Sequence, residues 1–225
     1  MKILVINPNS SEIMTHAISA QLSSFLSDRI EIDCVEIEGA PSAIRNARDK
    51  LSIIPSLTAL LERRHASYDA FVVACFGDPG VPLLKQAFTK PVLGIAEAGF
   101  YMALSCSERF GVICASREAG PNYRAYARAL GIDARYGGFA SVDMEILDLF
   151  REPSRARERI VEAAVQLRKQ GISAAVLGCA GMAPYAVEAA EESGIAIVEP
   201  STAAVSLLLG RFRSALPNHS HLEHI

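Results

Sequence analysis

The chain has 225 residues, half of them apolar and 21% charged, and its formal net charge is −3. A chain of this length can bury roughly 70% of its unfolded surface, so it needs neither disulfides nor a metal ion to fold. The slightly acidic balance gives no electrostatic basis for binding nucleic acid or an anionic membrane surface. No apolar run approaches the roughly 20 residues of a membrane-spanning helix.

The first ten residues, MKILVINPNS, contain a run of four apolar residues, which is too short for a signal peptide. We therefore expect a cytoplasmic protein whose cysteines are reduced. The five cysteines form neither a C-x-x-C pair nor a cluster with histidine, so we expect no metal site. The sequence has no G-x-G-x-x-G motif and no P-loop, which predicts that no nucleotide cofactor binds.

In the first part of the chain, short apolar runs alternate with stretches of helical periodicity. This alternation predicts a parallel sheet with right-handed crossover connections. Ser10 or Ser11 can cap the first helix, and Pro55 predicts a kink or a late start in the second. We expect strands at 2–6, at 30–36, in the run before Cys75 and at 91–96, with helices at 12–27, 50–66 and 81–89.

The second part of the chain repeats this order. Ser154 can cap a long amphipathic helix that ends at Gly171. We expect strands at 110–116, around 135–142, in the run before Cys179 and at 195–199, with a further helix near 121–130.

Corresponding positions in the two parts recur at similar offsets. The offset is 104 residues from Cys75 to Cys179 and 102 residues from Glu97 to Glu199. This repetition predicts an α/β fold of two pseudo-symmetric parallel-sheet halves with the active site in the cleft between them. We assign 1–101 to the first half and 102–201 to the second, with the junction near 102–109. We expect helix 202–214 to pack back on the first half, and 215–225, which holds three of the five histidines, to be a flexible tail.

Two cysteines occupy matched positions in the two halves. Cys75 lies in FVVACFGDPG and Cys179 in AAVLGCAGMAP, each after a strand-like apolar run and two residues before a glycine. The carboxyl ends of parallel strands are where α/β sheets carry their chemistry. We therefore expect one thiol on each side of a single site. For Cys34, Cys106 and Cys114 we expect structural roles, because free cysteine is among the most buried residue types.

Paired thiols suit the inversion of a carbon acid. A base must take the proton from one face of the carbon, and an acid must return a proton to the other face. A thiol has an unperturbed pKa of about 8.5 and can serve as either. A helix amino terminus beside each sulfur would favour the thiolate. One cysteine would then rest as thiolate and the other as thiol.

Other strand ends supply candidate groups for binding a small molecule. Backbone N–H groups at these turns can hold carbonyl oxygens and stabilise a developing enolate. Asn9, Ser10 and Ser11 are equally explained as helix caps, and the segment Pro200-Ser201-Thr202 is slightly better explained as the cap of the last helix than as a ligand contact. The substrate-binding candidates are Asn7, Pro8, Asn9, Ser10, Ile44, Phe76, Gly77, Tyr101, Ser116, Ala180, Gly181 and Pro200.

Five segments together resemble the aspartate/glutamate racemase superfamily and, within it, the hydantoin racemase family, which includes allantoin racemases. They are ILVINPNSS at the start, EGAPSAI at 38–44, ACFGDPG at 74–80, GIAEA at 94–98 and VLGCAGM at 176–182. The resemblance implies two pseudo-symmetric α/β halves and cofactor-independent racemisation by Cys75 and Cys179. Racemases of free amino acids typically carry Cys-Asn-Thr and Cys-Thr-His at these cysteines, and this chain lacks both signatures.

The leading hypothesis is therefore a racemase of 5-substituted hydantoins, including allantoin. Carbon 5 of such a ring carries an acidic proton because it lies between a carbonyl group and a ring nitrogen. We also expect a homo-oligomer. Two alternatives stay open: another reaction of the superfamily on a small carbonyl acid, such as decarboxylation or cis–trans isomerisation, and a non-catalytic two-lobed protein that binds a small ligand.

Overall fold

The computed structural model describes residues 1–214 and divides them into two compact α/β units. The first unit is Met1–Ile95 together with residues 204–214, and the second unit is Ala96–Ala203. The tail predicted at 215–225 lies outside the described residues. Within the described part of the chain, no helix is both long enough and apolar enough to cross a membrane.

In the part of the first unit that precedes the second unit in the chain, the α-helices and strands are β1 (Lys2–Asn7), α1 (Glu12–Leu22), β2 (Glu31–Glu36), α2 (Ala47–Ser52), α3 (Ile54–Arg64), β3 (Ala70–Val73), α4 (Val81–Ala87) and β4 (Val92–Gly94). All strand pairs are parallel, and the strand order is β2-β1-β3-β4. The central strands β1 and β3 are almost wholly buried, which explains why their sequences are continuous apolar runs.

The helix predicted at 50–66 is two helices. Asn46 begins α2 through a capping box, in which its side chain accepts the Asp49 N–H (3.0 Å) and the Asp49 carboxylate accepts the Asn46 N–H. Ile53 separates α2 from α3, and Pro55 lies in the first turn of α3, where a missing N–H costs no intrahelical bond. The late start that Pro55 predicted is therefore the start of a second helix.

The second unit contains the same kind of sheet. Its elements are α5 (Ile95–Cys106), β5 (Phe110–Cys114), α6 (Gly120–Ala129), β6 (Tyr136–Ser141), α7 (Asp148–Arg151), α8 (Pro153–Lys169), β7 (Ala174–Leu177), α9 (Ala186–Ser193) and β8 (Ala196–Val198), and α10 (Pro200–Arg213) begins in it. The strands are again parallel, in the order β6-β5-β7-β8. The predicted fold class of two parallel-sheet α/β halves is confirmed.

Two details of the second unit differ from the sequence predictions. Residues 95–106, which overlap the predicted junction, form α5, and Phe100 on this helix packs its ring on Phe110 with centroids 4.8 Å apart. The prediction that Ser154 caps the long helix is wrong, because α8 begins at Pro153, whose fixed φ suits the first helical position. Gly171 follows the end of α8 with a φ of +75°, as expected of a residue that ends a helix.

Candidate active site

Cys75 lies just beyond the hydrogen-bonded end of β3. Ala74 extends the ladder by donating its N–H to the carbonyl oxygen of Ile6 (2.8 Å), and the chain then turns. The Asp78 N–H closes this turn by donating to the Cys75 carbonyl oxygen (3.0 Å). Cys75 is half-buried. The thiol therefore belongs to the carboxyl edge of the first sheet, where parallel α/β sheets bind ligands.

The Cys75 loop, residues 75–80, contains three left-handed residues, Gly77, Asp78 and Gly80, with φ values of +91°, +49° and +75°. Asp78 is only 2% exposed, and its carboxylate packs on β4. A Cβ added at Gly94 would lie 2.0 Å from the Asp78 Cγ, so a side chain at position 94 would expel the carboxylate. Asp78 is thus a turn residue whose side chain joins the Cys75 loop to the neighbouring strand.

The Cys75 loop also packs on α2 and α3. A Cβ added at Gly77 would lie 2.3 Å from Lys50 Nζ, and one added at Gly80 would lie 3.3 Å from the Cγ1 of Ile54. Lys50 is half-buried. Lys50 is not among the candidates predicted from the sequence, because nothing in the linear sequence relates position 50 to position 77.

Asn7 and Asn9 form a buried polar network at the end of β1. The Asn7 amide donates to Asn9 Oδ1 (2.9 Å) and to Thr15 Oγ1 (3.0 Å), and Asn9 Oδ1 also accepts the Ser11 N–H (2.8 Å). Asn7 and Asn9 are 1% and 5% exposed. Ser11 caps α1 as predicted, because its hydroxyl accepts the Met14 N–H (3.4 Å). Both asparagines therefore hold the turn between β1 and α1.

The backbone donors of this turn are used inside the first unit. The Ser10 N–H donates to the carbonyl oxygen of Pro41 (3.1 Å), because the segment at 38–44 covers the turn. A substrate carbonyl that bonds this N–H would have to displace the Pro41 carbonyl oxygen, and the binding role of Ser10 stays a prediction. The other candidates of the first unit are Pro8 and Phe76, which are buried, and Ile44, which is half-buried and packs against the core.

Cys179 has the equivalent position in the second sheet. Gly178 donates its N–H to the carbonyl oxygen of Ile113 (2.7 Å), and Cys179 follows it and is half-buried. The Cys179 carbonyl oxygen accepts the Met182 N–H (3.0 Å), which opens a 3₁₀ helix at Ala180–Tyr185. The helix amino terminus expected beside this sulfur therefore belongs to a 3₁₀ helix, and α9 follows it.

Burial raises the pKa of the Cys179 thiol to about 11, and the Gly181 N–H that bonds the sulfur offsets this only in part. The helical turn after Cys179 thus favours the thiolate through one N–H donor, as expected, but desolvation of the thiolate outweighs that donor. Cys179 is therefore a protonated thiol at neutral pH. Gly181 is held in place by Phe150, since an added Cβ would lie 3.1 Å from two atoms of that ring.

The remaining candidates of the second unit have different environments. Ser116 accepts the Cys114 thiol at its carbonyl oxygen (3.2 Å), and its hydroxyl hydrogen-bonds the Glu118 carboxylate. Tyr101 lies on α5 and is 42% exposed. Ala180 and Pro200 are buried. In the part of the chain that the structure describes, no group of three or more His, Cys, Asp or Glu side chains could hold a metal ion.

Comparison with known proteins identifies the family. The family profile of Asp/Glu/hydantoin racemases matches residues 3–208. The chain belongs to this family. It is 30% identical to a hydantoin racemase from Pseudomonas sp. (strain NS671), over 99% of this chain and 92% of that protein.

Solved structures of allantoin racemases share the fold of this racemase. The enzyme from Klebsiella pneumoniae superposes with a TM-score of 0.90 at 28% identity, over 98% of this chain and 91% of that chain. The enzyme from Pseudomonas fluorescens gives a TM-score of 0.90 at 24% identity, over 97% and 93% of the two chains. The predicted family is confirmed, and so is the predicted enzyme class, a racemase.

The last helix of this racemase is capped by a residue that the sequence predictions passed over. The Glu199 carboxylate accepts the backbone N–H groups of Ser201 (3.0 Å) and Thr202 (2.6 Å), so Glu199 caps α10. The prediction that Ser201 and Thr202 cap this helix is wrong. The signal was present in the sequence, because an acidic residue directly before Pro200 is well placed to accept the first free N–H groups.

Proposed function

We propose that this racemase inverts carbon 5 of 5-substituted hydantoins, allantoin among them, by proton transfer to and from Cys75 and Cys179 without a cofactor. One observation carries the proposal. Cys75 lies two residues after Val73, the last residue of β3 that pairs with β1. Cys179 lies two residues after Leu177, the last residue of β7 that pairs with β5. The hydantoin and allantoin racemases that match more than nine-tenths of the chain support the substrate class.

The proton balance of this reaction closes without a co-reactant. The Cys75 thiolate takes the carbon-5 proton and becomes a thiol, while the electron pair of the broken C–H bond spreads onto the adjacent carbonyl oxygen as an enolate. The Cys179 thiol then gives its proton to the opposite face of the same carbon and becomes a thiolate. The opposite enantiomer reacts in the reverse order, so the two cysteines exchange the roles of base and acid.

The environment of Cys179 supports its role as the resting acid. Its raised pKa keeps the proton on the sulfur until the enolate, a much stronger base, takes it. The Gly181 N–H then stabilises the thiolate that forms, because it already bonds the sulfur. In this scheme Cys75 supplies the resting thiolate. The scheme requires both sulfurs to reach one carbon from opposite faces.

Solvent deuterium measures this reaction directly. Enantiopure hydantoins, allantoin included, are incubated with the protein in deuterated buffer, and decay of circular dichroism is followed together with deuterium at carbon 5. We expect inversion with incorporation of one solvent deuteron. Cys75→Ala and Cys179→Ala should each abolish inversion, whereas Cys106→Ser, at an exposed position, should not. Unchanged turnover in either alanine variant contradicts the two-base scheme.

Serine variants separate the two faces. Cys75→Ser and Cys179→Ser each retain one thiol, so each should exchange the carbon-5 proton of one enantiomer only and produce little inversion. The cysteine that remains is then the base for the enantiomer that exchanges.

Assembly and location stay predictions, namely a homo-oligomer and a cytoplasmic protein, and light scattering on the purified protein measures the first.

A further inference from the structure

Lys50 occupies the space beside the Cys75 loop that a side chain at position 77 would fill. Its Nζ would lie 2.3 Å from a Cβ at Gly77, so the ammonium rests directly on the loop backbone. Two backbone steps separate Gly77 from Cys75, which places their Cα atoms at most about 7.6 Å apart. The positive charge is therefore held within one short loop of the thiol.

Two acidic residues, the neighbour of Lys50 in sequence and the one in the Cys75 loop, have their carboxylates engaged elsewhere. Asp49, the preceding residue of α2, accepts the backbone N–H groups of Arg45 (2.8 Å) and Asn46 (3.3 Å) with its carboxylate. Asp78, in the Cys75 loop itself, directs its carboxylate against Gly94. Within residues 1–214 no hydrogen bond or ion pair ties the Lys50 ammonium to another side chain. Lys50 is half-buried, and partial burial of a charge without a counter-charge costs free energy.

We infer that Lys50 is a positioning residue of the racemase, which supplies the positive charge that favours the thiolate of Cys75. The inference deepens the proposed function and rests on it, because that function needs a resting thiolate at Cys75. A cation held beside a thiol favours the charged form and thereby raises the reactivity of the sulfur. Cys179, by contrast, has one backbone donor and remains protonated.

The size of the effect depends on the separation of the ammonium and the sulfur, for which about 7 Å, roughly the span of two backbone steps, is taken as the scale. A unit charge about 7 Å from a thiolate changes the fraction of thiolate by about 3-fold at the dielectric constant of water and by about 50-fold at an effective value of 20. Replacing Lys50 by methionine, which keeps most of the side-chain length and removes the charge, should therefore slow a reaction of the Cys75 thiolate at neutral pH by a factor in this range.

Alkylation by iodoacetamide tests the inference in the full-length protein. The reagent is uncharged, and the rate at Cys75 is read from its peptide by mass spectrometry across pH 6–10. We expect Lys50→Met to slow alkylation about 3- to 50-fold at pH 7 and to move the midpoint of the profile to higher pH. At high pH, where every Cys75 thiol is ionised, the two rates should converge. Lys50→Arg should restore the wild-type profile, because it restores the charge.

Arg48→Met is the matched control, because it removes an equal charge from an exposed position of the same helix. The rate of Cys75 alkylation in Arg48→Met should stay within about twofold of the wild-type rate at each pH, since an exposed charge is screened. An unchanged profile in folded Lys50→Met, or an equal loss in Arg48→Met, overturns the inference. Should Lys50→Met fail to fold by circular dichroism, Lys50→Gln replaces it under the same criteria.

The alkylation readout separates this inference from the proposed function. If wild-type protein inverts no hydantoin while Lys50→Met still slows alkylation of Cys75, the proposed function fails and the role of Lys50 holds. If wild-type protein inverts hydantoins and Lys50→Met leaves the pH profile of Cys75 alkylation unchanged, only the inference fails. Where both hold, Lys50→Met should lower kcat for the enantiomer whose proton Cys75 removes, and Lys50→Arg should recover it.

Discussion

The thiol of Cys114 donates to the carbonyl oxygen of Ser116 over 3.2 Å, and it also lies 3.5 Å from the carbonyl oxygen of Ala140. Cys114 is fully buried, and burial raises its pKa to about 11. Both acceptors belong to the end of the second sheet, where β5 and β6 pair. Cys114 therefore joins the carboxyl end of β5 to the turn that follows it, and the thiol proton is used in this hydrogen bond.

This hydrogen bond predicts that Cys114 is structural. Cys114→Ser keeps a donor of similar size and should retain racemisation within about twofold, whereas Cys114→Ala should lower the free energy of unfolding by about 1 kcal/mol, the usual net worth of one buried hydrogen bond. Urea denaturation and the circular dichroism assay measure the two quantities. Loss of turnover in a Cys114→Ser protein with a wild-type melting profile would show that the thiol takes part in the reaction.

The raised pKa of Cys179 predicts an unusual pH profile for its alkylation. In Cys75→Ser protein, the rate of iodoacetamide labelling at Cys179 should rise about tenfold per pH unit from pH 7 to pH 10, because only the thiolate reacts and its fraction grows in that proportion below the pKa of about 11. Peptide mass spectrometry separates Cys179 from the exposed Cys106, which is the internal control. A rate that levels off below pH 8 is incompatible with a protonated resting thiol.

The contact between Gly181 and Phe150 predicts a coupled effect of two substitutions. Gly181→Ala places a Cβ 3.1 Å from the Phe150 ring, so the ring must shift by a few tenths of an ångström or the N–H that bonds Cys179 must move. We expect a loss of about 1–2 kcal/mol in stability, typical of overpacking, and slower racemisation. Phe150→Leu in the same protein should recover part of both, since it removes the ring atoms that clash. Additive losses in the double variant would show that the two positions are not coupled.

The sequence predicted the parts of this molecule that depend on local patterns. The buried parallel strands and the cap at Ser11 follow from apolar runs and turn residues that lie close together in sequence. The equivalent placement of Cys75 and Cys179 follows from the recurrence of one such local pattern in both halves. The contact of Lys50 with Gly77 could not be predicted in this way, because it depends on how α2 packs against a loop 27 positions further on. The sequence also left open which of the two cysteines is the protonated one, since burial of a sulfur is a property of the folded chain.

Two errors concerned helix starts, where several residues compete to satisfy the same N–H groups. Ser154 is a residue type that favours the N-cap position. It follows Pro153, however, and Pro153 is already the first residue of α8. Ser201 and Thr202 likewise are the residues being capped, because Glu199 reaches their N–H groups from outside the helix. A proline one residue before a serine therefore shifts the cap to the residue that precedes the proline.

The cap at Glu199 gives the last prediction, which concerns stability. Glu199→Ala removes both acceptors from α10 and should lower the free energy of unfolding by about 1–2 kcal/mol at neutral pH. Glu199→Gln keeps one acceptor oxygen and should cost less. Gly210→Ala, at a position of the same helix with open space around it, should instead stabilise the protein by about 0.5–1 kcal/mol, because alanine is the better helix former.

The pH dependence of the same cap has a definite sign. Burial raises the pKa of Glu199 in the folded protein in spite of the Ser201 and Thr202 N–H donors. A carboxyl group that binds its proton more tightly when folded adds stability at low pH, and this contribution is lost as pH rises from its unfolded pKa through its folded pKa. The difference in unfolding free energy between wild type and Glu199→Gln should therefore shift in favour of wild type as pH is lowered through that window. Urea titrations of both proteins across it, with Gly210→Ala as the variant whose difference from wild type stays constant, measure the sign. A shift in the opposite direction would mean that the two N–H donors outweigh burial and that Glu199 is held as a carboxylate.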